Sequence, residues 1–147
     1  APSTIKSVYP SLLLLFPVAG NAANNARLFK NPNCFCCDEY AAYLRQNGLD
    51  VEMVNSNDMD TIKQRHSVPE PLYGCHTLLL DGYVFEGLIP VDSIRRLLKE
   101  KPAVVGLSLP GMPRGAPGMP GAKRAPLKVY SFTSLPPRHE VYDVYAD

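Results

Sequence analysis

Ala26-Arg27-Leu28-Phe29-Lys30-Asn31-Pro32-Asn33-Cys34-Phe35-Cys36-Cys37 is the stretch on which the reading of this chain turns. A short apolar run is followed by a turn-forming Asn-Pro-Asn, and the cysteines then lead into helical periodicity from Asp38 to Asn47. That order reads as strand, turn and helix N-terminus. Tyr40, Ala41 and Leu44, joined by Tyr43, form the apolar stripe of the helix, and Gly48 stands where a left-handed C-cap is expected. The thiols therefore sit where unpaired backbone N–H groups and the helix dipole lower a thiol pKa. A further cysteine, Cys75, is followed directly by His76. Folding alone does not call for cysteines this dense, whereas a soft metal ion does.

Composition narrows the function classes. With 147 residues, 46% hydrophobic and 20% charged, the chain is long enough for one domain with a real core and has too little excess charge for a nucleic-acid surface. Residues 26–100 carry 8 basic and 11 acidic side chains, and residues 101–147 carry 6 and 3, so the tail reads as a solvated basic segment. At the N-terminal side, Lys6 precedes the apolar run Leu12 to Phe16, and small residues follow at Ala19-Gly20-Asn21-Ala22-Ala23. That is the order of a secretory signal, so residues 1–25 are expected to be a signal-like segment or N-terminal extension and the protein to be exported to the periplasm. A core or edge strand at Leu12–Phe16 is the competing reading. The run is far shorter than the ~20 apolar residues of a membrane span, so no stable membrane anchor is expected.

Beyond the cysteine helix, Asp50 to Asn55 alternates polar and apolar residues as a half-buried strand does. A helix capped by Asn57 or Asp58 carries Met59 and Ile62 on one side and ends before Pro69. Thr77 to Leu80, the turn Asp81-Gly82 and Tyr83 to Gly87 predict a hairpin, because Asp-Gly is a preferred type I′ pair. Pro90 at position N1, then Ile94, Leu97 and Leu98, predict another amphipathic helix, closed by Lys99, Lys101 and Pro102. The expected fold is α/β: a thioredoxin-like βαβαββα core over residues 26–105, a Pro/Gly/Met-rich loop at 106–126 and a C-terminal β-hairpin at 127–147. By analogy with that fold, the loop Pro69 to His76 packs beside the cysteine turn, which brings Cys75 to Cys34, Cys36 and Cys37.

Several ordered motifs match a known family. Lys30 to Cys37, Gly74-Cys75-His76-Thr77, Asp81 to Gly87, and Pro110-Gly111-Met112-Pro113 followed by Gly115 to Met119 resemble the CopG-type bacterial copper-resistance proteins, which are distinct from the DNA-binding repressors of the same name. The resemblance covers residues 27 to 119. It implies a periplasmic, thioredoxin-like protein that holds copper in a copper–thiolate cluster and cycles it between oxidation states. Many relatives have glycine where Phe35 stands, so Phe35 is expected to shield the site or narrow access to it.

The residues agree with copper without dictating it. Thiolates and thioethers select Cu(I), and bridging thiolates let Cys34, Cys36, Cys37 and Cys75 hold a polynuclear cluster. Zinc competes, although its structural sites usually pair cysteines as C-x2-C on two turns, and here Cys36 and Cys37 are adjacent. Cys34 and Cys37 also form C-x-x-C at a helix start, so a thiol–disulfide oxidoreductase is the alternative; the extra thiol at Cys36, and Cys75-His76 in the loop where thioredoxins place a cis proline, count against it. A pair of structural disulfides is the plainest reading, disfavoured by the crowding of cysteines in one turn. His76, Met112 and Met119 are secondary ligand candidates. In an extended strand Cys75 and His76 point to opposite faces, so both reach one metal only if the backbone is irregular there. Met112 and Met119 lie in a loop without apolar periodicity, which suggests thioether ligation, a lid or access path, or docking of a periplasmic copper-handling partner. His66 and His139 read as surface residues, and Met53 and Met59 as core.

Overall fold

The computed structural model describes residues 25–136 and 138–146, so the signal-like reading of the N-terminal segment falls on residues outside the described part. The first strand, β1 (Ala26–Lys30), runs into helix α1 (Phe35–Gln46) through the Asn-Pro-Asn turn, as its sequence requires. The helix starts three residues earlier than the periodicity alone indicates, with Cys34 as N-cap, so Cys36 and Cys37 lie within its first turn. At the other end Gly48 takes φ +88°; its N–H donates to the Arg45 carbonyl, and that of Leu49 to the Leu44 carbonyl. These two bonds form a Schellman cap, which glycine allows because it has no Cβ to clash at positive φ.

Then follow β2 (Val51–Asn55), α2 (Met59–Arg65), a single 3-10 turn (Glu70–Leu72), β3 (His76–Leu80), β4 (Tyr83–Gly87) and α3 (Val91–Glu100). The β3–β4 turn has Asp81 and Gly82 at φ 51° and 83°, the type I′ pair that matches the twist of a tight hairpin. Pro90 stands at the N-cap of α3, one position earlier than expected, and Lys101 ends the helix in the left-handed region.

Residues 106–109 correct the sequence reading. They are a strand, β5 (Gly106–Leu109), buried along its length and paired parallel to β4, so the loop begins at Pro110. Together with β6 (Leu127–Phe132) and β7 (His139–Tyr145) it completes one seven-stranded mixed sheet of order β2-β1-β3-β4-β5-β6-β7. The terminal hairpin therefore extends the sheet, with β5 as the link. Gly106 shows why the strand is hard to see: a Cβ there would lie 1.8 Å from the Val84 carbonyl oxygen, so close strand approach demands the residue that normally signals a break. Gly106→Ala is expected to lower stability by about 1–3 kcal/mol through overpacking, read as a shift in the urea midpoint at unchanged slope.

Successive residues of a strand face opposite sides of the sheet, and the core divides accordingly. Phe85 joins Leu28, Tyr40, Leu44, Leu78, Ile89 and Leu97 in the large cluster under α1 and α3, whereas its neighbour Val84 joins Val68, Leu72 and Phe132 in a smaller one. The hairpin is tied to α3: the Ser93 hydroxyl donates to Asp143 at 2.6 Å, Arg96 pairs with Asp143, and its guanidinium lies 4.2 Å from the Tyr142 ring centre. Among the described residues no helix is long and apolar enough to cross a membrane.

Candidate metal centre

The start of α1 meets the turn before β3, and the cysteines converge there. The ligand atoms of Cys34, Cys36, Cys37 and Cys75 all lie within 4.8 Å of one another. Cys36 is the hub: its Sγ is 3.5 Å from that of Cys34, 3.4 Å from that of Cys75 and 3.4 Å from the Met112 thioether. Cys37 is fully buried beneath, its sulfur 3.6 Å from the Cys75 carbonyl oxygen.

Glycines make this approach sterically feasible. A Cβ on Gly74 would sit 2.6 Å from the Gly87 Cα, so the turn carrying Cys75 crosses the end of β4 backbone against backbone. Gly74 also forms an isolated parallel bridge with Gly111, which delivers Met112 to the same place. Gly118 passes over α1 so closely that a Cβ would lie 3.1 Å from the Cys36 carbonyl oxygen.

In this structure Cys34 and Cys37 are joined in a disulfide with their Cα atoms 5.4 Å apart, and Cys36 and Cys75 are free. This is the pair that the C-x-x-C reading singles out. Crowding disfavours bonds between neighbours in sequence, but one helical turn places residues i and i+3 at ordinary disulfide span. The expectation of lowered thiol pKa values does not extend to Cys75. Its thiol is pushed far up, first by burial, then by its hydrogen bond and charge interaction with Cys36. A metal arriving at Cys75 must therefore displace a proton, which makes binding pH-dependent.

His76 is wholly buried, and its ring stacks on Tyr40 at 4.7 Å. Nε2 lies 2.8 Å from the Gly87 carbonyl oxygen, which can only accept, so the proton is assigned to Nε2. Nδ1 is then the bare lone pair, and it lies 3.4 Å from the Cys75 sulfur. Burial lowers the His76 pKa from 6.5 to about 3 against the opposing hydrogen bond to Gly87, which keeps the ring neutral and ligand-competent. The backbone irregularity needed for both side chains to share a site is present, since Cys75 sits in a bend just before the first residue of β3.

The other candidates separate. Met112 is 53% exposed yet touches Cys36, so it spans solvent and the sulfurs. Met119 is half-buried and packs against the large core cluster. Phe35, the first residue of α1, is 72% exposed. His139 is exposed and His66 half-buried at the end of α2. Sequence reasoning missed Lys63, Thr77 and Glu86, a buried polar group whose carboxylate accepts the N–H of Gly74 beside Cys75. The available signal was Glu86 standing in the otherwise apolar run Tyr83 to Ile89.

Fold and site together define a mixed α/β protein with a cysteine cluster able to hold a soft metal ion. Two solved structures are similar to it over most of their length. The one described as Copper resistance protein copG- Form 2 is 32% identical, covers 83% of this chain and 98% of its own, and superposes with a TM-score of 0.75. For Form 1 the values are 32%, 84%, 98% and 0.76. The family described as Protein of unknown function, DUF411, matches residues 72–119, and no curated protein matches. The chain belongs to the CopG copper-resistance protein family.

Proposed function

We propose that this protein binds copper for copper resistance, holding Cu(I) between Cys34, Cys36, Cys37 and Cys75, with Met112 and His76 as accessory donors, in the periplasm. The observation that carries the reading is the position of Cys36, with a sulfur of Cys34, of Cys75 and of Met112 each within 3.5 Å. Thiolates and thioethers are the donors Cu(I) prefers, and bridging lets few sulfurs hold several ions. His76 Nδ1 fits the same set as a neutral imidazole whose other nitrogen is fixed by a carbonyl. A thioredoxin-like origin is supported by the order of the first strands, with β1 parallel to β2, β3 antiparallel to β1 and β4 antiparallel to β3. Export is supported by the basic, apolar and small-residue order of Lys6 to Ala23.

Full thiolate ligation requires the Cys34–Cys37 bond to be opened, which consumes two electrons and two protons from a reductant and yields two thiols. The same bond supports a second reading, thiol–disulfide exchange at Cys34 and Cys37, and couples copper loading to redox state under the first. Interconversion of Cu(I) and Cu(II) at this site is part of the proposal. The test is anaerobic copper analysis with thiol counting before and after reduction. The expected result is more than one Cu(I) per chain in the four-thiol form and a markedly lower count in the disulfide form. Equal copper content in both forms, or none in either, contradicts the assignment.

A further inference from the structure

Glu86 has no exposed surface, and Lys63 and Thr77 are buried with it. The Lys63 ammonium pairs with Glu86 Oε2 and donates to Thr77 Oγ1 at 3.1 Å, and the Thr77 hydroxyl donates to Glu86 Oε1 at 2.7 Å. Thr77 and Glu86 are also direct cross-strand partners in the β3–β4 hairpin. Removing two ions from water is costly enough that apolar residues of similar volume are often as stable, so fold stability alone is a poor reason for this group. A further bond of Glu86 points to a different role: the Gly74 amide donates to Glu86 Oε2 at 2.9 Å.

Gly74 precedes Cys75 and pairs with Gly111, which precedes Met112. The backbone position of Gly74 therefore sets where two sulfurs meet Cys36, each at 3.4 Å. We propose that Glu86 is a positioning residue of the sulfur cluster: clamped by Lys63 and Thr77, it fixes the Gly74 amide and so holds Cys75 within reach of Cys36. A charged acceptor bonds an N–H more strongly than a neutral one, and a carboxylate engaged at both oxygens has no rotamer freedom left. Sites that must share one ion tolerate displacements of only about 0.5 Å. The proposal rests on reading the cluster as the metal site, but the distance it controls is measurable without copper.

The experiment uses the full chain carrying Cys34→Ser and Cys37→Ser, in which Cys36 and Cys75 are the remaining thiols. The equilibrium constant for closing a Cys36–Cys75 disulfide is measured in a reduced/oxidised glutathione buffer: two thiols and one glutathione disulfide give the protein disulfide and two glutathione thiols. Two double variants are compared in that background. Lys63→Met with Glu86→Gln removes the charges and keeps an acceptor for Gly74, whereas Lys63→Met with Glu86→Leu removes both. The Gln pair is expected to stay within about three-fold of the parent and the Leu pair to fall about ten-fold or more, with near-UV circular dichroism confirming that both are folded. Equal constants for the two pairs overturn the proposal. If either pair does not fold, Thr77→Val carries the test, since it frees Glu86 Oε1 at nearly constant volume; a fall of about three-fold is expected, and no change overturns the anchor. Failure of the native protein to bind Cu(I) would sink the proposed function while leaving this constant intact.

Discussion

Replacing Cys36 with serine is expected to weaken Cu(I) retention by about 100-fold or more and to lower the number of ions held, while the fold survives. The magnitude follows from the hub geometry. Cys36 contacts the sulfurs of Cys34, Cys75 and Met112, so its loss removes the group through which the others could share ions. Residues that merely orient a ligand already change metal affinity by roughly 10–100-fold, and a bridging ligand should not count for less. Serine is nearly isosteric, and in the first turn of α1 it suits the helix start, so circular dichroism should be unchanged. Competition against a chromophoric Cu(I) chelator under nitrogen gives the affinity.

The same variant separates the two readings of the C-x-x-C pair. An oxidoreductase works through Cys34 and Cys37, so Cys36→Ser should leave its exchange with a glutathione disulfide intact. Under the copper reading Cys36→Ser and Cys75→Ser should fail together, because their sulfurs are 3.4 Å apart and act as one unit. Copper stoichiometry retained in Cys34→Ser alongside lost disulfide exchange would reverse the ranking.

The parts of this molecule that follow from local chemistry are legible in the sequence alone. Asn31-Pro32-Asn33 before the cysteines, Gly48 after Asn47 and Asp81-Gly82 between alternating runs each allow few backbone solutions, and the turns and caps formed where those residues stand. The convergence of Cys75 on α1 was accessible only through the strand and helix order, since 39 positions separate it from Cys36. What stayed hidden depends on contacts between distant segments. β5 is disguised by Gly106, whose smallness serves its neighbour Val84 rather than its own strand. The role of Gly74 needs Gly87, Gly111 and Glu86 in place before it has meaning. The bond between Cys34 and Cys37 depends on redox state as well as spacing, so residue types leave both thiol and disulfide forms open.

Acid should destabilise the metal-free protein through His76. Buried against Tyr40 and committed through Nε2–H to the Gly87 carbonyl, the ring has a folded-state pKa lowered to about 3 from the ordinary 6.5. Above pH 6.5 neither the folded nor the unfolded chain holds the extra proton, and the contribution to stability is fully present. As pH falls from 6.5 towards 3 the unfolded chain takes up a proton that the folded one refuses, so stability is lost progressively across that window. The full loss is on the order of 5 kcal/mol. Glu86 acts in the opposite sense, because burial raises its carboxyl pKa despite Lys63, so the whole-protein curve mixes several groups. His76→Gln isolates the histidine: a glutamine amide can still donate to Gly87, but it does not titrate. Urea unfolding of the reduced, metal-free proteins at pH 7 and pH 4.5 should show the wild type losing about 2–3 kcal/mol more than the variant. Parallel losses in the two proteins would mean that the ring is protonated in the native state, leaving Nδ1 without the lone pair that a metal requires.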